Sequence, residues 1–188
     1  MTPSEDDPAP FFELIVGASE RAGLPHMLVG SFASGIHGIP RATHDLDIVI
    51  EPASRPLSRF LELLSDEDVY VDARVAQEEL QRRGQFNVID RSSTWKADLI
   101  FLKPTPFGRS EFQRRIPRTV LGITAFVATA EDTILAKLEW AKIGQSEQQL
   151  RDVRGIVSVQ GDELDRAYVD RWLDELGVRE LWDVVEKT

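Results

Sequence analysis

Two aspartates one residue apart, Asp45 and Asp47, interrupt an otherwise apolar run, DLDIVI, and no other feature constrains this chain as strongly. Successive side chains of a β-strand alternate between faces, so the two carboxylates share one face and Leu46, Ile48 and Ile50 share the other. Like charges about 4 Å apart at an effective dielectric near 20 repel by roughly 4 kcal/mol. Either one carboxylate takes up a proton or a divalent cation binds. The expectation is the cation.

The residues around this pair extend the pattern. An apolar strand over 26–29 runs into Gly30-Ser31, and a short helix over 32–37 follows with Ser31 as its N-cap. Gly38, Pro40 and Thr43 mark a loop before the strand 45–50. Upstream, 10–23 is helical, with Gly23 as its stop. Downstream, the pattern predicts helices over 55–65 and 73–83, a short strand over 69–71, and strands over 86–89 and 95–102 joined by a hairpin turn at 90–94. Short strands at 120–121 and 125–127 flank Gly122. From Thr129, an N-cap followed by acidic residues, the chain turns helical, with further helices near 146–159, 165–176 and 178–186. The organisation expected is a short disordered lead-in at 1–9, an α/β (α+β) core at 10–128 and a helical region at 129–188.

Composition narrows the function classes. Forty-two per cent hydrophobic and 29% charged residues are those of an ordinary globular protein. No run of about 18 apolar residues exists, so no membrane span is expected. The start, MTPSEDDPAP, is acidic and proline-rich and lacks the basic-then-apolar form of a secretory signal. With no cysteine there is neither a disulfide nor a thiolate zinc site. A cytoplasmic location is the default expectation. The net charge of −10 argues against a protein that coats nucleic acid, because phosphate binding relies on Lys and Arg. The arginines of RSEFQRRIPR (109–118) are either a solvated loop or a local phosphate contact.

Asp98 stands alone in the apolar run KADLIFL and needs a partner, a metal ion or a nearby Lys96 or Arg91. Gly-Ser at a strand-to-helix turn, Asp-x-Asp on the next strand and a third Asp on a later one fit phosphoryl or nucleotidyl transfer. Hard oxygen ligands select Mg²⁺ or Mn²⁺, and three carboxylates suffice for two ions. Gly30 admits backbone close to phosphates, and Ser31 adds a hydroxyl and helix N-terminal N–H groups. Arg41 and Thr43, beside the acids, are candidate substrate contacts. His26, His37 and His44 lack metal-site spacing, and Mg²⁺ does not favour them. Trp140, Trp172 and Trp182 fall on helical faces with leucine neighbours and read as core.

Gly30-Ser31, thirteen intervening residues, Asp45-Leu46-Asp47 and then Ala97-Asp98-Leu99 resemble the signature of the nucleotidyltransferase superfamily related to DNA polymerase beta. GIPRATHDLDIVI and EDTILAKLEWAK further resemble the AbiEii-like group of small bacterial nucleotidyltransferases, which includes toxins of type IV toxin–antitoxin pairs. The resemblance covers most of 26–182. It implies a nucleotidyltransferase-type mixed β-sheet flanked by helices, with an all-helical C-terminal portion. It implies that Asp45, Asp47 and Asp98 are catalytic and bind metal, that Gly30 and Ser31 hold the triphosphate, and that Lys137 reaches the phosphates. Asp152 falls where related toxins carry a further acidic motif. On the helix that opens at Thr129 the plainer readings are that Lys137 is a solvated lysine and that Asp132 stabilises the helix dipole. The activity implied is transfer of a nucleoside monophosphate from an NTP to a hydroxyl of RNA or tRNA, a protein or a small molecule, with an antitoxin as a possible partner. The readings of another kind are a catalytically idle binding module of a toxin–antitoxin pair and an aminoglycoside-type small-molecule enzyme.

Overall fold

A computed structural model describes residues 7–187; most of the lead-in expected at 1–9 lies outside that range, and Ala9 already opens the first helix. Two compact units are present. The first comprises residues up to Leu28 together with Thr43–Val127, and the second comprises Val29–Ala42 and the chain from Ala128 onward.

The first unit holds a seven-stranded mixed sheet among the described residues. Its strands are β1 (His26–Leu28), β2 (Asp45–Ile50), β3 (Val69–Val71), β4 (Gln85–Asp90), β5 (Lys96–Phe101), β6 (Ile116–Val120) and β7 (Ile123–Val127), in the order β3-β4-β5-β2-β1-β7-β6. β2 runs parallel to β5 and antiparallel to β1, while β1 runs parallel to β7. Its helices are α1 (Ala9–Ala22), α3 (Ser54–Leu64), α4 (Ala73–Arg82) and α5 (Pro106–Arg114). The alternation expected of half-buried strands is present on β4 and β5: Phe86, Val88, Ala97, Leu99 and Phe101 are buried, and the residues between them are not. α3 packs on α1 and α4, with Leu57, Phe60, Leu61 and Leu64 as its buried stripe. Each such side chain contributes about 1.5–3 kcal/mol on burial.

The second unit is helical: α2 (Gly30–His37), α6 (Ala130–Gly144), α7 (Glu147–Gln160), α8 (Arg166–Leu176) and α9 (Arg179–Glu186), with a 3₁₀ turn at Gly161–Glu163. α6 is its centre, packing on α2, α7, α8 and α9. Asp132 of α6 is fully buried and accepts hydrogen bonds from the hydroxyls of Thr129 (2.6 Å) and Tyr168 (2.5 Å). It therefore ties α8 to α6 and does more than complement a helix dipole. Gly38 permits α2 and α7 to meet, since a Cβ there would lie 2.7 Å from the Ile156 nitrogen.

Several local expectations are corrected. Residues 106–114 form α5 and 116–120 form β6, so RSEFQRRIPR is not a loop. Pro106 at its first turn and Thr105, which accepts from the Gly108 N–H, start that helix. Arg115 is spent on packing, its guanidinium stacked 4.1 Å from the Phe112 ring centre and 5.0 Å from that of Phe126. α2 begins at Gly30, with Val29 in the cap position and no side-chain cap, so Ser31 is not its N-cap. Trp140 is 54% exposed, because α6 turns its Ile134, Leu135 and Leu138 face inward; Trp182 is buried as expected.

Candidate active site

The sheet unit gathers the carboxylates. Parallel pairing of β2 with β5 sets Asp47 directly beside Asp98 and Asp45 directly beside Lys96. Residues paired in register project to the same face, so all four side chains emerge together. The face opposite them is closed by Leu46, Ile48, Ala97 and Leu99. Asp98 is more enclosed than Asp45, its side chain 14% exposed against 47%. On the other flank of β5, Asn87 of β4 pairs with Asp98 and donates its amide to Oδ1.

Lys96 lies among these acids. Its Nζ is 3.1 Å from Asp98 Oδ2 and 3.5 Å from Asp45 Oδ1. Burial pushes the pKa of this ammonium down, but the hydrogen bond and charge of Asp98, followed by those of Asp45, outweigh it and raise the pKa above the ordinary lysine value. Thr43 closes the start of β2, its hydroxyl accepting from the Asp45 N–H at 3.2 Å. His44 turns away from this face by strand alternation, and its ring lies against Trp95 (5.3 Å between centres) with Nδ1 3.0 Å from Thr94 Oγ1.

The helical unit gathers the remaining candidates into one polar chain. Gly30 adopts φ +63°, left-handed backbone that glycine tolerates and side-chain-bearing residues resist. The hydroxyl of Ser31, next in sequence, accepts from the Arg41 guanidinium. Arg41 Nε lies 3.3 Å from both oxygens of Asp152. Asp152 then receives Lys137 Nζ at 2.7 Å and the Gln148 amide at 2.9 Å, while Lys137 also donates to Gln149 at 2.9 Å. The plainer reading of Lys137 as a solvated helix lysine is overturned: its side chain is 5% exposed and that of Asp152 is 6%. Burial alone would raise the Asp152 pKa. The hydrogen bond and charge of Lys137, the Gln148 bond and the charge of Arg41 reverse this and hold it below the ordinary aspartate value.

The other two histidines are structural. His37 Nε2 donates to the Ala128 carbonyl at 2.7 Å. His26 is 5% exposed, with Nδ1 3.2 Å from the Leu24 carbonyl, and burial lowers its pKa.

Asn87 and the two glutamines, Gln148 and Gln149, belong to no motif in the sequence. Asn87 carries a signal only after the β4–β5 hairpin register is known. Gln148 and Asp152 are four apart on α7, a spacing that helices bring together.

Against known proteins, no family model matches the sequence and no curated protein sequence matches it. Solved structures do. The solution structure of the aminoglycoside nucleotidyltransferase ANT(2'')-Ia, an antibiotic-resistance factor, matches with a TM-score of 0.61 at 13% identity, over 92% of this chain and 94% of that one. This chain has a nucleotidyltransferase fold. A crystal structure of ANT(2'')-Ia in complex with adenylyl-2''-tobramycin also matches it, with a TM-score of 0.59 at 13% identity over 92% and 98% of the two chains. The mixed sheet with flanking helices agrees with the fold class read from the sequence.

A nucleotidyltransferase fold implies a divalent metal, and the donors on the sheet suit one. Asp45, Asp47 and Asp98 supply hard carboxylate oxygens from one face of paired strands, with register neighbours Asp47 and Asp98 side by side. Among the described residues, no three His, Cys, Asp or Glu side chains are grouped as a ready cage. The Lys96 ammonium supplies positive charge to two of the three carboxylates. The donor chemistry fits the metal; the local side-chain arrangement is that of a lysine-paired site.

Proposed function

We propose that this protein is a nucleotidyltransferase of the AbiEii-like kind that transfers a nucleoside monophosphate from an NTP to an acceptor hydroxyl, with release of pyrophosphate. The observation that carries this reading is the in-register placement of Asp47 beside Asp98, with Asp45 on the same face, in a chain of nucleotidyltransferase fold. Asp45, Asp47 and Asp98 would hold Mg²⁺ or Mn²⁺, which when bound neutralises phosphate charge and favours the ionised acceptor hydroxyl. Asp98, held by Asn87, is assigned to orient the acceptor hydroxyl and accept its proton. Gly30 and Ser31 are assigned to the triphosphate, Arg41 and Lys137 are assigned as cations for its charge, and Thr43 is assigned as a substrate contact beside the acids. Asp152 keeps Arg41 and Lys137 ordered through its ion pairs with both. Catalysis in this scheme is alignment and electrostatic stabilisation.

Among acceptors, a cationic small molecule is the reading favoured over RNA, tRNA or protein. The net charge of −10 attracts cations and repels polynucleotides, and the fold is shared with an enzyme that has been captured with an adenylylated tobramycin. A type IV toxin with an antitoxin partner is the runner-up. No helix among the described residues is long and apolar enough to cross a membrane, and the proposed setting is the cytoplasm.

The test is transfer of label from each α-labelled NTP, with Mg²⁺ or Mn²⁺, to a pool of aminoglycosides, total tRNA or mixed cell protein. Label is expected on the small cationic acceptors, with a loss of at least about a thousandfold in the Asp45→Ala/Asp47→Ala double variant. Label on tRNA or protein instead moves the acceptor to the toxin reading. A protein that binds no nucleotide and labels nothing is the idle binding module.

A further inference from the structure

The carboxylate face contains a cation of its own. Lys96 lies two residues before Asp98 on β5, so strand alternation returns its side chain to the same face. Register then places it opposite Asp45 on β2. One ammonium thereby reaches two acids on two strands, 3.1 Å and 3.5 Å away. From these contacts we infer that Lys96 is a resident counter-ion: it holds Asp45 and Asp98 together while the metal is absent, must give way when a divalent cation binds, and so sets the metal affinity of the site.

This rests on the metal-dependent reading above and adds to it a competitor within the chain. Asp98 Oδ1 receives the Asn87 amide and Oδ2 receives Lys96, a bond that an uncharged donor could make equally well. What Lys96 adds is charge, and without charge compensation the three acids repel one another. Its side chain is 38% exposed, and four methylenes let the ammonium leave without moving β5. A compact divalent ion brings twice the charge to the same oxygens and can use Asp47 as well. The apparent metal affinity is therefore reduced by the fraction of molecules in which Lys96 occupies the acids.

Two measurements test this. Free Mn²⁺ is counted by electron paramagnetic resonance in titrations of the wild-type protein, Lys96→Met, Lys96→Arg and, as a control for lost charge alone, Arg91→Met. Lys96→Met is expected to bind Mn²⁺ about tenfold more tightly. Lys96→Arg should stay near wild type and Arg91→Met within about twofold of it. In the unmodified sequence, which avoids any folding defect, reductive methylation of Lys96 followed by mass spectrometry should speed up severalfold under saturating Mg²⁺, because the amine is released. Wild-type Mn²⁺ binding with equal or weaker binding by a folded Lys96→Met overturns the inference, as does a Lys96 methylation rate indifferent to Mg²⁺. If neither wild type nor Lys96→Met binds Mn²⁺, the metal-dependent function itself falls, and this inference with it.

Discussion

The two units each pair a lysine with an aspartate, and the pairs differ in kind. Lys96 with Asp98 and Asp45 is partly exposed, on a sheet face whose carboxylates differ widely in access. Lys137 with Asp152 is almost wholly enclosed, at 5% and 6% exposure, and is buttressed by Gln148, Gln149 and Arg41. A partly exposed pair is worth little because water solvates either ion when the pair opens. A buried pair cannot be opened cheaply, since each charge left alone keeps its desolvation cost. The comparison teaches that the first pair is suited to exchange and the second to hold a fixed arrangement. The same chemical pair acts as a replaceable counter-ion in one place and as scaffold in the other.

The sharpest way to break this comparison is to remove one partner from each. Asp152→Ala leaves Lys137 buried without its carboxylate and should cost about 3–5 kcal/mol in urea unfolding. Lys96→Met in metal-free protein should cost about 1 kcal/mol or less. Equal losses would erase the distinction between a fixed and an exchangeable pair. Next in size, Tyr168→Phe removes a donor to the fully buried Asp132 and should cost about 1–3 kcal/mol, placing the scaffold role on the helical unit as a whole. A loss within error would mean that the carboxyl's other partners, Thr129 among them, suffice.

The smallest effect is set by pH. Burial lowers the His26 pKa below 6.5, so between the folded value and 6.5 the unfolded chain binds more protons than the folded one. Stability from this group therefore rises with pH through that window and is complete above it. As pH falls the contribution is lost. Asp152, whose pKa is lowered, has the same slope further down: its contribution is present above 3.8 and is lost as pH falls through its folded value. Urea midpoints for wild type and His26→Gln should keep a constant separation above pH 6.5 and converge on acidification toward the folded pKa. Parallel curves would remove His26 as a source of pH dependence.

The strands and helices were legible where periodicity was strong. β2, α3 and the four C-terminal helices lie within a residue or two of their expected ranges, because a buried stripe at period 2 or 3.6 leaves its mark in the order of residues. α5 was not, since Pro106 and four arginines make that stretch look like a loop, and its buried face is only Phe107, Gly108, Glu111 and Phe112. Lys96 was visible as a neighbour of Asp98, two residues away. Its reach to Asp45 was not, because that contact depends on a register between strands some fifty residues apart. Lys137 looked solvated because a lysine on a helix usually is. Its burial comes from the packing of α6 against α7, which brings Asp152, fifteen residues on, to its ammonium.

By itself, then, the sequence determined which side chains share a face. Alternation alone joins Asp45 to Asp47 and Lys96 to Asp98, and it does so for any strand that forms there. It also determined that the acids had to meet positive charge, because their repulsion is a property of the residues. Which cation answers that need in the absence of metal was decided by tertiary structure. The parallel pairing of β2 with β5 delivers Lys96 to Asp45, and the packing of α6 against α7 encloses Lys137 with Asp152. Both depend on contacts between distant segments, whose energies come from burial in the assembled fold and leave no periodic trace in the chain.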